Sequence, residues 1–235
     1  MRELRLALAD GTDVAAAFHP PGSGPSAGVA APVLLFPGAR GDHAAAHVVA
    51  IAELLAAAGH PVVRAALSPR PPGAGVVGPT DRSVGRAGEV LAAARGLIGD
   101  DAPHGWIVGG ASYGGRVASL AVAAEGGAAL GVTGLLLVAY PLHPPGRPDR
   151  LRVAHWGAVD VPVLMLSGDA DPFLTEELLT AHAADLGGPL TRLVVLGGRH
   201  DLSVSARSAP DGRRRTPAEA VGEHADALVA WAAAR

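Results

Sequence analysis

Short, uniformly apolar runs alternate along this chain with longer Ala-rich segments in which apolar residues recur every three or four positions. The runs at 33–36 (VLLF), 62–65, 106–109, 135–139 (LLLVA), 163–166 (VLML) and 193–196 (LVVL) each predict a strand. LLLVA, VLML and LVVL lack in–out alternation, as expected of strands buried on both faces. Helical spacing predicts helices over 43–58, closed by Gly59, and over 82–97, 116–124, 175–185 and 218–234. At the N-terminus, 2–9 and 14–19 flank an Asp10-Gly11 turn signal and read as a hairpin. Pro20–Pro32 and Leu67–Pro79 are too rich in Pro and Gly for regular structure.

Apolar strands separated by helices imply an α/β fold with a mostly parallel sheet covered on both faces. In such sheets ligands bind beyond the carboxyl ends of the strands, so the residues just after each strand bear the chemistry. The length, 235 residues without an internal repeat, suits one domain over 1–235. The stretch from Tyr140 to Val161 is short and rich in Pro and Arg, leaving little room for a helical lid.

Composition narrows the function by exclusion. Hydrophobic residues make up 49% and charged residues 17%, ample for a core. The net charge of −3 gives no basic face for nucleic acid, and Arg213-Arg214-Arg215 reads as a solvated loop. Without cysteine there is no disulfide, thiolate metal site or Cys nucleophile. All 19 basic residues are arginine, which in so Ala- and Gly-rich a chain is explained by a GC-rich coding sequence. The segment MRELRLALADGTDV alternates charged and apolar residues and has no long apolar stretch, so no signal peptide is expected. No stretch is long and apolar enough to span a bilayer. A cytoplasmic protein without a membrane partner is the expectation.

After the strand at 106–109 comes Gly110-Ala111-Ser112-Tyr113-Gly114, then a helix. In a chain with 32 glycines the G-x-S-x-G match alone says little. Its place between strand and helix says more, because that is the setting of a nucleophile elbow. The turn pushes the serine Oγ out over the sheet, and Gly110 and Gly114 keep a Cβ away from neighbouring backbone. A serine needs a base, and the base an orienting acid. VLML is followed by Ser167-Gly168-Asp169-Ala170-Asp171-Pro172-Phe173, and LVVL by Gly197-Gly198-Arg199-His200-Asp201. Ser112, Asp171 and His200 therefore follow strand ends in the Ser, Asp, His order of α/β-hydrolases. Asp171, farther out on its loop, is favoured over Asp169, which would brace the turn, and Asp201 is expected to point away. The oxyanion donors would be the N–H groups of Tyr113 and Ala39, with Arg40 the alternative to Ala39. His43 and His47 are expected on one helical face with i,i+4 spacing, but without an H-E-x-x-H pattern no metal is expected.

Gly110 to Ser119 (GASYGGRVAS), Tyr140 to Gly146 (YPLHPPG), Leu151-Arg152 to His155, and Gly168 to Phe173 together resemble the small, dienelactone-hydrolase-like α/β-hydrolases. That group includes the testis-expressed 30 proteins and the hydrolase-like region of the NSL-complex subunit 3 proteins. The likeness runs from about Val33 onward, and YPLHPPG is its most specific part. It implies the α/β-hydrolase fold with little or no lid and puts Ser112, Asp171 and His200 on the triad positions. Two departures stand out. Pro37-Gly38 replaces the His-Gly of many oxyanion loops, and Tyr113 replaces the Met that often follows the serine. Arg40, His143 and His155 are candidates for lining the substrate pocket, although loop histidines also bond to backbone.

These readings lead to a serine hydrolase that needs no cofactor and acts on a small-molecule ester or thioester. Two alternatives stand beside it: a non-catalytic interaction module on the same fold, and cofactor-free peroxidation by the same triad.

Overall fold

The computed structural model describes residues 1–23, 30–70, 80–99 and 105–235. Most of the 67–79 loop and half of the 20–32 loop lie outside those residues. The eight strands are β1 (Arg2–Ala7), β2 (Asp13–His19), β3 (Val33–Phe36), β4 (Val62–Ala65), β5 (Trp106–Ala111), β6 (Val132–Val138), β7 (Val163–Gly168) and β8 (Leu190–Val195). They form one sheet in the order β1-β2-β4-β3-β5-β6-β7-β8. The β1–β2 hairpin is antiparallel and joins β4 antiparallel, while every pairing from β4 to β8 is parallel.

The apolar runs from β3 to β7 have no in–out alternation because each strand side packs against a helical layer. On one face Leu34, Phe36, Val108, Leu135 and Leu137 meet Val90, Leu91 and Ala94 of α2 (Thr80–Ile98) and Val117, Ala118 and Val122 of α3 (Tyr113–Glu125). On the other, Val33, Leu35, Ile107, Leu136 and Leu164 meet α1 (Ala46–Ala57) and the C-terminal helices, through Val48, Ile51, Leu55, Val221, Leu228 and Trp231. Burial of such side chains contributes about 1.5–3 kcal/mol each, so the two layers together hold the sheet. β8 departs from the expectation: it lies at the sheet edge, where Leu193 and Val194 are only half-buried and Val195 is buried, so the LVVL run is not covered on both faces.

Several boundaries differ from the sequence reading. The first helix begins at Ala46, three residues later than the spacing suggests, leaving His43 in the preceding turn. The 175–185 segment is α5 (Glu176–His182) followed by a 3₁₀ turn over Ala183–Asp185. The 218–234 helix is two, α6 (Pro217–Gly222) and α7 (Ala225–Ala233), interrupted after Gly222. Thr216 and Glu219 form a capping box that starts α6. Leu196 is not in β8 but is exposed beyond its end. Periodicity missed α4 (Gly127–Leu130), whose first N–H is held by Asp160 Oδ1 at 2.8 Å, and a 3₁₀ turn at Trp156–Ala158. Among the described residues the segment after β6 carries no helical lid, and no helix is long and apolar enough to cross a membrane.

β4 contains one charged residue, Arg64, only 1% exposed. Its guanidinium donates to His19 Nε2 at 2.9 Å and to the His43 carbonyl, and lies 3.8 Å from Glu3. A buried arginine needs such partners. They tie the N-terminal hairpin to the turn before α1. Burial and the neighbouring guanidinium lower the His19 pKa to about 4, so the ring stays neutral and can accept that bond.

Candidate active site

Chain order sets the site's position. From β3 the chain moves to β4 on one side, then crosses to β5 on the other. The loops after β3 and β5 diverge there, opening a crevice at the carboxyl ends of the strands. Gly38 faces Ser112 across it, and a Cβ on Gly38 would sit 3.8 Å from the serine Cβ.

Ser112 has φ 50° and ψ −111°, a backbone state that costs an L-residue about 1–3 kcal/mol. Its surroundings over-determine it. The Ser112 N–H donates to Val138 O at 2.8 Å, and its carbonyl accepts from Arg116 N–H at 3.0 Å in the first turn of α3. The flanking glycines are forced by crowding: a Cβ on Gly110 would lie 2.2 Å from the Phe36 carbonyl oxygen, and one on Gly114 2.4 Å from that of Pro37.

Ser112 Oγ lies 2.9 Å from His200 Nε2, and His200 Nδ1 lies 2.8 Å from Asp171 Oδ2. The Asp171 side chain is fully buried, and its Oδ1 accepts the Phe173 N–H at 2.9 Å. The Phe173 ring meets the His200 imidazole edge-on, with centroids 4.7 Å apart. His200 is thus held by a carboxylate at one nitrogen and by an aromatic ring at its side. The other acid points elsewhere, since Asp169 Oδ1 accepts the Gly197 N–H at 2.6 Å and braces the turn after β8.

A cavity of about 470 Å³ opens beside Ser112 and His200. Ala39, Ala45 and Ala111 give it apolar wall, while Arg40, Asp42, His47 and Asp201 supply its polar groups. Among the described residues the N–H groups of Ala39 and Tyr113 donate to no backbone or side-chain acceptor. Tyr113 directs its hydroxyl away, to Ser83 Oγ on α2 at 2.9 Å.

Of the three predicted pocket residues only Arg40 lines this cavity. His143 is buried behind Phe173, with Nδ1 donating to the Pro144 carbonyl at 2.8 Å. His155 lies beneath α3, bonded to Ser119 Oγ at 2.8 Å. Burial, helped by nearby Arg116, lowers its pKa to about 4. Asp201, expected to point away, lines the cavity while its Oδ1 accepts from the Ser203 N–H and hydroxyl. His43 and His47 do not share a helical face. His43 Nε2 contacts Glu3 at 3.2 Å, whereas His47 faces the cavity. Among the described residues no group of three or more His, Cys, Asp or Glu side chains is placed to hold a metal ion.

A mostly parallel sheet with a strained serine between strand and helix, facing a histidine and a buried carboxylate from two later strands, is the architecture of the α/β-hydrolases. The chain belongs to the alpha/beta hydrolase domain family, whose model matches residues 30–232. The fold is similar to that of Est1E from Butyrivibrio proteoclasticus, with 16% identity, all of both chains covered and a TM-score of 0.73. It is also similar to an a/b serine hydrolase without lid from Xanthomonas campestris, at 19% identity, 98% and 94% coverage and a TM-score of 0.62. A dienelactone hydrolase from Anabaena variabilis matches at 16% identity, 98% and 95% coverage and a TM-score of 0.66.

Proposed function

We propose that this protein is a serine hydrolase that cleaves a small-molecule ester or thioester through an acyl-enzyme, with residues 1–235 forming one catalytic domain. The observation that carries this reading is His200 bridging Ser112 Oγ at 2.9 Å and Asp171 Oδ2 at 2.8 Å. Ser112 Oγ attacks the carbonyl carbon as its proton passes to His200 Nε2. The new O–C bond makes an oxyanion, held by the Ala39 and Tyr113 N–H groups and favoured by the α3 N-terminus. The bond to the leaving group then breaks, and the His200 proton goes to the departing oxygen or sulfur. Water repeats the sequence, giving its proton to His200, releasing the acid and restoring the serine. Asp171 fixes the proton on Nδ1 and stabilises the imidazolium. The YPLHPPG block supports kinship with the testis-expressed 30 and NSL-complex subunit 3 hydrolase-like proteins within the wider family.

A fluorophosphonate probe tests the reading. Folded protein should be labelled at Ser112 and should hydrolyse 4-nitrophenyl acetate. Ser112→Ala should remove the label and reduce turnover by orders of magnitude. Folded protein that resists the probe, or an alanine variant of unchanged activity, would overturn it.

A further inference from the structure

The proposed chemistry uses Ser112, His200, Asp171 and two backbone N–H groups, and leaves His47 without a role. His47 sits in the first turn of α1, directly after the loop that carries Ala39, and faces the same cavity as Ser112 and His200. Among the described residues neither of its ring nitrogens has a hydrogen-bond partner, and neither is sealed from solvent. A polar ring left open toward a partly apolar cavity is available to a ligand. Burial lowers its pKa to about 4, against the opposing pull of Asp201, so at neutral pH it offers one donor and one acceptor. That pair matches a hydroxyl group.

The side of the cavity that His47 faces follows from its neighbours. It lies within electrostatic reach of both His200 and Asp201. His200 Nε2 must hand its proton to the departing atom, so the leaving group extends along the His200 side. Arg40, Asp42 and Asp201 are the Arg and Asp side chains in the cavity lining, and of these Asp201 is the one beside His47. A carboxylate at that position disfavours an anionic leaving group, phosphorylated or carboxylated, on the His47 side.

We propose that His47 is a specificity-determining residue that hydrogen-bonds a hydroxyl on the leaving group, selecting esters of neutral polyhydric alcohols over esters of simple alkanols. This rests on the hydrolase reading and adds the class of alcohol to it.

The test compares 2-hydroxyethyl butyrate with propyl butyrate, whose alcohol chains are nearly isosteric and differ by hydroxyl against methyl. Acid release is followed by titration. Wild-type protein should favour the hydroxyethyl ester by about fivefold in kcat/KM, the worth of one uncharged hydrogen bond, with the difference mainly in KM. His47→Leu should bring the ratio to about one, and His47→Gln, which keeps a donor and an acceptor, should retain part of the preference. A wild-type ratio of one or less overturns the proposal, and needs no variant to fold. So does a His47→Leu variant that slows both esters equally, because a structural role acts that way. Fluorophosphonate labelling in the same preparations separates the two readings. Labelled protein without the preference sinks the His47 proposal alone, whereas unlabelled folded protein sinks the hydrolase reading and this one with it.

Discussion

Two acids lie two residues apart in the loop after β7, and they respond differently to the same change, carboxylate to carboxamide. Asp171 holds two bonds, Oδ1 from the Phe173 N–H and Oδ2 from His200 Nδ1, with no solvent exposure. In Asp171→Asn the amide oxygen keeps the Phe173 N–H, which turns the NH₂ toward His200. Facing a donor, Nδ1 must become the acceptor, so the ring proton moves to Nε2. That nitrogen then points N–H at Ser112 Oγ, 2.9 Å away, and has no lone pair to take the serine proton. The buried negative charge that would balance the imidazolium is also gone. Together these cost about 10⁴ in kcat, or roughly 5.5 kcal/mol, with the fold intact. Asp169→Asn keeps the one acceptor its geometry uses, Oδ1 toward the Gly197 N–H, and should cost less than about tenfold. The assay is kcat for 4-nitrophenyl acetate in both variants, with circular dichroism to check folding. Equal losses, or a larger loss in Asp169→Asn, would refute the tautomer argument and the choice of acid.

Two further outcomes follow from α2 and from three wholly or partly buried histidines. Gly88 is in the middle of α2, and a Cβ there would meet nothing within 4 Å. Gly88→Ala should therefore raise stability by about 0.5–1 kcal/mol and Tm by roughly 1–4 °C, and a lower Tm in calorimetry would contradict the packing of α2. His19, His47 and His155 are each held neutral by burial, with pKa values lowered from 6.5 to about 4. Unfolding releases them to take up protons, so their contribution is complete above about pH 6.5 and is lost as pH falls toward 4. The urea midpoint should drop between pH 7 and pH 5, with uptake of up to three protons on unfolding, and an unchanged midpoint would exclude this linkage.

The sheet was legible because its strands announce themselves as apolar runs too short for helices, and the two-layer packing explains why they do not alternate. Element ends were less so. Helical spacing at 43–58 cannot register that Arg64, 21 residues on, claims the His43 carbonyl and holds that turn out of the helix. The same long-range contact explains the mistaken i,i+4 pairing of His43 and His47. Strand ends and chain order nominated Ser112, Asp171 and His200, which meet at hydrogen-bond distance. The cavity lining was not legible. His143 and His155 flank a loop near the site, yet packing turns one behind Phe173 and the other under α3. Asp201 adjoins His200, but the sequence does not show which way that turn points it, and His47 reaches the cavity from a segment far from both loops, so only three-dimensional proximity could have nominated that histidine.

The contact between the last two loops explains why the imidazole and its acid need little adjustment. Residues 168–171 and 197–200 are bound to each other by main chain as well as by Asp171 and His200. The Ala170 N–H donates to Gly198 O at 2.9 Å, and the Asp169 carboxylate returns to the Gly197 N–H at 2.6 Å. A Cβ on Gly168 would fall 2.0 Å from the Gly198 carbonyl oxygen, so the backbones approach as closely as glycine permits. The Asp171–His200 separation is thereby set by backbone ties that do not pass through either functional side chain. A dyad fixed this way loses little orientational freedom on reaching the transition state, which is the condition for electrostatic stabilisation without reorganisation. The serine is fixed independently, by crowding against β3 and by the first turn of α3. Two separately braced halves therefore meet at the Ser112–His200 bond, across the crevice in which a substrate carbonyl would sit.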